Sequence, residues 1–457
     1  MSASIAPKKR AKSIRRALPL PEVYYDAFTS GKCYFVRDKQ GDFIPVTEGS
    51  VKRMLKGEGF SHEIEKDEML SDLDDVLNRV QKEQNVKYAG PLAGHPAGLQ
   101  QIQNQNVLVT EGPRLIEPVE GPWPTLQALL RGLLVPDGEV EWGAELQLKV
   151  LYSWLKVTLI SLRARKRRPG QALVMAGPPS CGKSLVQNLL TKLFGGRSAK
   201  PYQFMSAGTQ FNSELFTAEH LMIEDESASF DLRTRRELGS GIKGFVVNES
   251  QRCHPKARPA LTLSPIWRVS ITLNDEAENL MVLPPLDESL QDKLLLFRAY
   301  RRAMPMPTET LDQWAAFMMV LEAELPAFVH FLLHTWQIPE ELRCSRFGVT
   351  HFHHPELLEM MNVLAPETKL LELIDAKLFP KGALDPDEWE GKASELESEL
   401  CGTNSSVAHE ARKLLLYNSA CGQYLGRLAT RHSQRISQRT LHGYTLWKIK
   451  APPKLTS

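Results

Sequence analysis

The sequence predicts an α/β protein built around a parallel β-sheet. Three short apolar runs of strand type lie at residues 171–176, 220–223 and 267–273, and a helical repeat follows the first of them. Strands that alternate with helices in this way are typical of a parallel sheet covered by helices. Of the 457 residues, 42% are hydrophobic and 24% are charged, which is ordinary globular usage and excludes a collagen-like, disordered or membrane-embedded chain.

The charges are unevenly placed along the chain, although the net charge is only +2. Residues 1–16 carry six cations and no acid, and residues 411–457 carry nine cations and no acid, so the stretch between them is acidic. Clustered lysine and arginine displace the counterions of a nucleic acid, so two basic ends predict a polyanionic partner. A solubilising tail and a solvated helix face remain the alternative for these ends.

The cysteines and the apolar segments indicate where the protein works. Six cysteines are scattered along the chain without a CxxC pair, which favours neither a disulfide framework nor a zinc ribbon. The sequence has no uninterrupted run of about 18 apolar residues and no apolar segment after the N-terminal charges, so it predicts neither a membrane span nor a secretory signal. We therefore expect a cytoplasmic protein without a membrane partner.

The N-terminal part of the chain predicts a small α+β region and a connector. Residues 21–60 predict a strand-rich unit, residues 62–87 a charged helix, and residues 89–124, which are rich in Gly, Pro, Gln and Asn, a loop-dominated connector. One acidic cluster lies within the helical pattern, so we interpret it as a solvated helix face rather than a metal site. The cluster consists of Asp72, Asp74 and Asp75.

A helical collar is predicted over residues 126–163, where leucines recur at helical spacing. The collar ends in a basic run, with five cations within residues 163–168. Pro169 and Gly170 then break the helix just before the first apolar strand run.

A glycine-rich loop joins that strand to the helical repeat. It fits the pattern GxxxxGK[ST] with Gly177, Pro178, Pro179, Ser180, Cys181, Gly182, Lys183 and Ser184. Glycines let backbone N–H groups curl around phosphates, the lysine reaches the β- and γ-phosphates, and the hydroxyl ligates Mg²⁺, all at a helix N-terminus whose dipole favours anions. Strand, loop and helix together predict a phosphate loop that binds ATP and Mg²⁺.

The two later strand runs end in residues that suit nucleotide hydrolysis. The second run is followed by Glu224, Asp225 and Glu226, and we expect it on a strand neighbouring the phosphate-loop strand. Asp225 would hold the metal and Glu226 would polarise the attacking water. Because Glu224 is also acidic, the assignment of these two roles stays open by one residue. The third run ends in Asn274, whose amide suits a role in orienting that water or sensing the γ-phosphate.

Loop, acidic strand and asparagine lie close together in the sequence and make a compact ATPase. This arrangement resembles the superfamily 3 helicases of the AAA+ class, especially the replication helicases of phages, satellite phages and plasmids that are often fused to primases. The resemblance is specific over residues 125–300, and its segments are RPGQALVMAGPPSCGKS, LMIEDE and HPKARPALTLSPIWRVSITLND. It implies an AAA+ core with a parallel sheet, a homo-oligomeric ring, a hexamer, and 3′ to 5′ translocation. An N-terminal primase module is not evident.

The resemblance also implies a β-hairpin, between the acidic strand and the asparagine strand, that carries basic residues to the DNA backbone. In this interval residues 243–250 predict a strand and a polar turn, and cations follow. A basic loop that tracks phosphates suits single-stranded DNA, and ordinary surface charge is the alternative. The expected contacts are Lys243, His254, Lys256 and Arg258.

Ring ATPases of this kind borrow an arginine from the neighbouring subunit to neutralise transition-state charge. Related sequences often have an acidic–arginine pair shortly after the asparagine, whereas this sequence has Asp292 followed by Lys293. Lys293 is therefore one candidate for this arginine finger. The other candidates lie on the helix that we expect next, namely Arg298, Arg301 and Arg302.

The C-terminal region is predicted to be helical before it becomes basic. Residues 311–335 predict an apolar helix pair, and residues 366–400 an acidic helical stretch. From Val407 two helices and two strand-like runs predict a small winged-helix-like domain, which members of the resembled family often carry after the motor. Its excess of cations favours DNA contact, and a lid that stabilises the oligomer is the alternative.

These observations predict an ATP- and Mg²⁺-dependent DNA helicase that unwinds duplex DNA during replication of a phage, satellite or plasmid in a bacterial host cell. Its expected partners are single-stranded or forked DNA, further copies of itself in a ring, and a primase or polymerase. One alternative is a DNA-binding AAA+ switch, such as a replication initiator or a defence ATPase, that hydrolyses ATP without unwinding. Another is a partner-binding scaffold with an inactive nucleotide site.

We expect the chain to divide into regions in the following order. They are a basic flexible tail (1–20), an N-terminal α+β region with its connector (21–124), the helical collar (125–165), the AAA+ core (166–302), a helical region (303–400) and the basic winged-helix-like domain (401–457).

Overall fold

The computed structural model describes residues 20–29, 31, 33–64, 69–136, 145–224, 232–363, 365–380, 387–416, 418–441 and 443–452. The chain forms two compact units. The first takes in the described residues of Met1–Asn274 and Leu283–His353, and the second those of Asp275–Val282 and His354–Ser457.

Two small sheets begin the first unit. Their strands and the helices between them are β1 (Val23–Tyr25), β2 (Tyr34–Arg37), β3 (Phe43–Val46), α1 (Glu48–Gly57), α2 (Asp72–Glu83), β4 (Tyr88–Gly90), β5 (Gly98–Ile102) and β6 (Gln105–Val109). The first sheet is antiparallel in the order β1-β2-β3, and α1 and α2 pack on it through buried Val51, Leu55 and Val80. In the second sheet β6 pairs in parallel with β4 and antiparallel with β5.

The second sheet corrects the prediction of a loop-dominated connector. Val107, Leu108 and Val109 of β6 are fully buried, so this segment has the apolar core of a strand despite the glycines and glutamines around it. The acidic cluster is part of the start of α2, as the helical pattern predicts. The hydroxyl of Ser71 caps that helix by accepting a hydrogen bond from the Asp74 N–H at 3.1 Å, and carboxylates favour this positive end of the helix dipole.

The predicted collar is confirmed as two helices, α3 (Pro124–Leu134) and α4 (Leu146–Arg163). The remaining elements in chain order are β7 (Ala172–Ala176), α5 (Lys183–Leu193), β8 (Ser198–Ala199), α6 (Tyr202–Met205), β9 (His220–Glu224), α7 (Leu232–Val247), β10 (Gln251–Cys253), β11 (Leu261–Leu263), β12 (Arg268–Leu273), α8 (Ala277–Leu280, in the second unit), β13 (Leu294–Arg298) and α9 (Leu311–His330). Short 3₁₀ turns lie at Ser213–Thr217, Gln291–Lys293 and Glu340–Leu342.

A five-stranded parallel sheet forms the centre of the first unit, which confirms the predicted α/β class. Its order is β13-β7-β12-β9-β8. Every residue of β7 and β12 is buried, as expected for strands covered on both faces. The expectation that the acidic strand neighbours the phosphate-loop strand is wrong, because β12 lies between β7 and β9.

The apolar segment Leu311–Thr335 is one continuous helix, α9 with a π-helical turn at Phe331–Thr335, where the sequence predicts a helix pair. Within the described chain, it is long and apolar enough to cross a membrane by length and composition alone. Glu324 accepts hydrogen bonds from the N–H groups of Thr125 (3.1 Å) and Leu126 (2.7 Å) at the start of α3. Its buried side chains join the core of the collar, so we assign it as a core helix: Phe317, Leu321, Leu325 and Phe328.

The second unit combines helices with a small antiparallel sheet. Besides α8 it contains α10 (Pro355–Val363), α11 (Pro366–Leu378), β14 (Glu388–Gly391), α12 (Ala393–Cys401), α13 (Ala408–Leu414), α14 (Ala420–Arg431), β15 (Ile436–Leu441) and β16 (Tyr444–Lys450). The sheet order is β14-β16-β15, and helices that precede a β-hairpin make the unit winged-helix-like. Its strand β14 comes from upstream of residue 401, where the sequence places the start of this domain.

Candidate nucleotide-binding site

The glycine-rich loop joins the buried strand β7 to helix α5. Because β7 ends at Ala176 between β12 and β13, the loop emerges at the carboxyl edge of the sheet. Helix α5 begins at Lys183, and its unpaired N–H groups and positive dipole end face the loop. The structure therefore shows the loop in the strand–loop–helix context that a phosphate site needs.

Two positions of this loop favour glycine for backbone reasons. Gly182 has φ 106°, in the left-handed region that other residues rarely adopt. Gly177 lies so close to the backbone and Cβ of Ala299 that a side chain would not fit. The glycine spacing of the motif thus follows from the geometry of the loop and of the chain packed against it.

Lys183 is the buried cation of the loop, with a residue exposure of 6%. Its Nζ donates to the carbonyl oxygens of Gly177 (2.7 Å) and Pro178 (2.8 Å), and it lies 3.7 Å from the Sγ of Cys181. It also donates to the Oδ1 of Asn274 at 3.4 Å. These partners are all neutral. Because charged acceptors bind N–H donors more strongly, phosphate oxygens would replace the carbonyls on this ammonium.

Asn274 follows β12 at the same edge of the sheet as the loop. The register pairs Leu273 with Ala176, and the Gly177 N–H donates to the Leu273 carbonyl at 3.2 Å. This pairing places the asparagine beside the lysine. Two predicted site residues, Lys183 and Asn274, are thus brought together although 91 positions separate them.

The acidic end of β9 lies only partly in the described chain. Glu224 is the last residue of the strand, and one of its carboxylate oxygens lies 3.2 Å from the Lys200 Nζ. Asp225 and Glu226, the predicted metal ligand and base, lie outside the described residues. Since Glu224 pairs with Thr272 of β12 in a parallel ladder, β9 ends at the edge of the sheet that also carries Asn274.

The other loop residues differ in exposure. Pro179 and Ser180 are exposed at the crest of the loop, and Ser184 is exposed in the first turn of α5. An exposed hydroxyl at this point is a suitable oxygen ligand for a hard cation. Cys181 is buried, which fits a small apolar filler.

A buried hydrogen-bond network beneath the loop ties α5 to β9 and β12. The Gln187 amide donates to the Ser270 hydroxyl at 2.7 Å, and that hydroxyl lies 2.7 Å from the Nε2 of His220. The Nδ1 of His220 lies 2.7 Å from the Thr191 hydroxyl. Burial lowers the pKa of His220 to about 3, so the imidazole is neutral. The sequence did not predict this network. Its signal in the sequence is the presence of polar residues, His220 and Ser270, within apolar strands.

The predicted DNA contacts do not lie on one hairpin. Lys243 lies in helix α7, where the sequence predicts a strand, because the apolar residues there recur at helical spacing and are buried: Leu238, Ile242, Phe245 and Val246. The ammonium of Lys243 contacts the Ser289 hydroxyl and lies 3.8 Å from the Asp287 carboxylate.

A hairpin does occur further along, as β10 and β11 with a connecting loop at 254–260. Lys256 is exposed on this loop. The ring of His254 lies 5.5 Å from that of Phe211. Arg258 is 3.1 Å from the fully buried carboxylate of Asp26, so it ties the hairpin loop to the N-terminal sheet.

The arginine-finger candidates lie in different environments. Arg298 ends β13, and Arg301 and Arg302 follow in an irregular segment, which corrects the helix expected there. Lys293 precedes β13 at the amino end of the sheet, and its Nζ lies 2.6 Å from the Asp292 carboxylate. With an exposure of 8%, Lys293 points inward rather than toward solvent.

Many cations of the second unit pair with carboxylates of the same unit. Glu367 is buried, and its two oxygens lie 3.3 Å from Arg427 and 3.0 Å from Arg431. Further pairs join Arg435 to Asp375, Arg439 to Glu390 and Lys448 to Glu388. The acid-free stretch 411–457 is therefore partly neutralised by acids that precede it in the chain.

The fold and this site define an α/β phosphate-loop protein with a winged-helix-like second unit. No protein family model matches the chain, and no curated protein matches it. Among solved structures, the chain is similar to the A form apo structure of the NrS-1 C-terminal region, with a TM-score of 0.53 and 12% identity over 94% of this chain and 96% of that one. A second apo structure of the same NrS-1 region gives 0.51 at 12% identity over the same shares. At this identity the likeness shows a shared fold.

A looser match is to SCCmec type IV Cch, described as an active helicase, with a TM-score of 0.27 and 9% identity over 88% of this chain and 70% of that one. A superposition this loose carries no argument about fold or function.

Proposed function

We propose that the protein is an ATP-dependent DNA helicase, a ring motor of the superfamily 3 type that acts in the replication of a phage, satellite or plasmid. The observation that carries this proposal is the contact between the phosphate-loop lysine and the asparagine at the end of β12. Lys183 and Asn274 meet at the carboxyl edge of a parallel sheet, which is where α/β proteins bind ligands.

In the proposed chemistry, Lys183, Asn274 and Glu226 each have a role. Lys183 exchanges its carbonyl partners for the β- and γ-phosphate oxygens of ATP. Asn274, held by its contact with that lysine, orients the attacking water or senses the γ-phosphate. Glu226 polarises the water.

Mg²⁺ would neutralise phosphate charge when it is bound with the nucleotide. The residues fit such an ion, because the exposed hydroxyl of Ser184 and carboxylates after β9 are hard oxygen donors. Ser184 and Asp225 would hold it.

The proposed partners follow from the surface charge and from the resembled family. Lys256, exposed on the β10–β11 hairpin, contacts the backbone of single-stranded or forked DNA. Several copies of the chain form a ring, with six as the proposed number. The motor works with a primase or polymerase in the cytoplasm of a bacterial host.

One observation favours a second candidate, a DNA-binding ATPase switch that does not unwind. Arg258 pairs with buried Asp26, and Lys243 contacts Ser289, so two of the predicted DNA contacts bind the protein itself. A hairpin loop held in this way suits a switch better than a moving, strand-pulling loop.

Two measurements on the full chain separate these candidates. ATP hydrolysis is measured with and without single-stranded DNA, and strand separation is measured on a forked duplex. A helicase is stimulated by DNA and unwinds the fork in an ATP-dependent manner. Stimulation of hydrolysis by DNA without unwinding would exclude the helicase and support the switch. A chain that does not hydrolyse ATP would exclude both candidates.

A further inference from the structure

The segment that follows β13 packs against the phosphate loop. The Ala299 N–H donates to the Ala176 carbonyl at 2.7 Å, which extends the β13–β7 ladder by one residue. Ala299 then fills the space where a side chain on Gly177 would lie, and the methyl group of Met304 approaches Gly182. Residues 299–304 therefore contact both glycines of the loop within the same chain.

Arg301 is the cation of this segment, and it contacts the crest of the loop. Its guanidinium donates to the carbonyl oxygen of Pro179. Lys183 binds the two preceding carbonyls, those of Gly177 and Pro178. Three consecutive carbonyls of the loop thus accept hydrogen bonds from two cations of one chain, the buried Lys183 and the exposed Arg301.

The other finger candidates have different surroundings. Lys293 is buried in an ion pair with Asp292 at the opposite end of β13. The guanidinium groups of Arg298 and Arg302 each lie 5.7 Å from the ring of Tyr300. The hydrogen bond to the Pro179 carbonyl makes Arg301 the candidate for a role at the phosphate loop.

We propose that Arg301 binds the phosphates of the nucleotide held by its own subunit, and so acts in cis rather than as an arginine finger for a neighbour. A guanidinium binds phosphate more strongly than a peptide carbonyl, because the acceptor is charged and the fork of donors matches its geometry. Nucleotide-hydrolysing proteins of the phosphate-loop class use such an arginine either in cis or in trans. This inference rests on the proposed ATP hydrolysis.

Single variants of the full chain measure the size of the effect. Arg301→Ala lowers kcat for ATP by about 10³-fold, the effect typical of such an arginine, and Arg301→Lys restores part of the rate because it keeps the charge without the fork. The matched control is Arg343→Ala, since Arg343 is also exposed and also donates to a backbone carbonyl, that of Ile338. It keeps the wild-type rate.

Mixing two inactive variants distinguishes cis from trans. Lys183→Ala and Arg301→Ala chains are combined in equal amounts, and a parallel mixture of wild type with Lys183→Ala shows whether subunits exchange. With Arg301 in cis, no chain of the mixture has an intact site, so activity stays at the sum of the two variants. Recovered activity would overturn the proposal, because a neighbour's arginine would then complete the site.

Other outcomes are equally decisive. If the active chain is monomeric, loss of hydrolysis in Arg301→Ala supports the cis role, because no neighbour is present. A monomer that is insensitive to Arg301→Ala contradicts it. If the wild-type chain does not hydrolyse ATP, the result contradicts the proposed function itself rather than the cis role of Arg301.

Discussion

At the carboxyl edge of the central sheet, Lys183 and Arg301 donate to peptide carbonyls, whereas in the second unit Arg427 and Arg431 pair with the buried carboxylate of Glu367. The sequence predicts phosphate partners for both sets of cations, those of ATP for the first set and those of DNA for the second. A cation on neutral carbonyls gains much from a phosphate, while a cation that already has a carboxylate must first give up that partner. Within the described residues, a phosphate ligand is therefore favoured at the cations that contact peptide carbonyls rather than at those paired with a carboxylate.

The largest expected effect is at the phosphate-loop edge. Lys183→Ala removes the buried ammonium, and we expect kcat for ATP to fall about 10²- to 10³-fold, the cost of one preorganised charge-stabilising donor. Lys192→Ala on the same helix is the control, because Lys192 pairs with Glu322 at 2.9 Å. Phosphate release is measured for both, and equal rates in the two variants would mean that Lys183 contributes no more to hydrolysis than a surface lysine.

The second unit should instead respond in stability. Glu367→Gln leaves Arg427 and Arg431 without their charged partner, and we expect the free energy of unfolding of this unit to fall by about 3 kcal/mol. The control is Glu372→Gln, whose exposed pair with Lys369 should change it by less than about 1 kcal/mol. Urea unfolding followed by tryptophan fluorescence checks both. Similar small effects would mean that the buried pairs do not hold the unit together.

A smaller effect is expected on DNA binding, where an exposed lysine is compared with an arginine that pairs with a carboxylate. Lys256 is exposed on the hairpin loop, and Arg439 is paired with Glu390. We expect Lys256→Ala to weaken single-stranded DNA binding and to reduce the slope of log affinity against log salt by about 1, as for one lost phosphate contact. Arg439→Ala should leave the slope unchanged. The reverse ranking, measured by fluorescence anisotropy, would place DNA on the second unit.

The last prediction concerns the pH dependence of stability that arises from the neutral network under the loop. Folded His220 stays unprotonated down to a pKa of about 3, while its unfolded value is 6.5, so the unfolded state binds the proton first as the pH falls. Its contribution to stability is complete above pH 6.5 and is lost toward pH 3, at no more than about 1.4 kcal/mol per pH unit. His220→Asn should flatten this slope between pH 6.5 and 5, whereas exposed His432→Asn should not. Identical slopes would mean that His220 titrates in the folded state.

The sequence predicted the parts whose chemistry is local. The phosphate loop, the strand before it and Asn274 follow from motif and periodicity, and the parallel pairing of β7 with β12 then brings Lys183 to Asn274. It did not predict the strand order, because the apolar pattern is the same whether β9 or β12 lies next to β7.

The sequence also did not predict ion pairs between residues that lie far apart in the chain. Nothing near Arg258 in the sequence points to Asp26, and nothing near Arg427 points to Glu367, since these pairs join segments far apart in the chain. The sequence therefore overestimated the cations available to DNA. The helix at Lys243 was missed because a short apolar run fits a strand as well as a helix face.

The nucleotide site is tested by calorimetric titration of the full chain with a non-hydrolysable ATP analogue and Mg²⁺, because this measures phosphate binding without turnover. We expect saturable binding of one nucleotide per chain, weakened at least about 10-fold in Lys183→Ala, since a charge-assisted contact contributes roughly 1.5–3 kcal/mol. Glu367→Gln should bind as the wild type does. Absence of binding to the wild-type chain, or equal binding by Lys183→Ala, would mean that this loop does not bind the nucleotide phosphates.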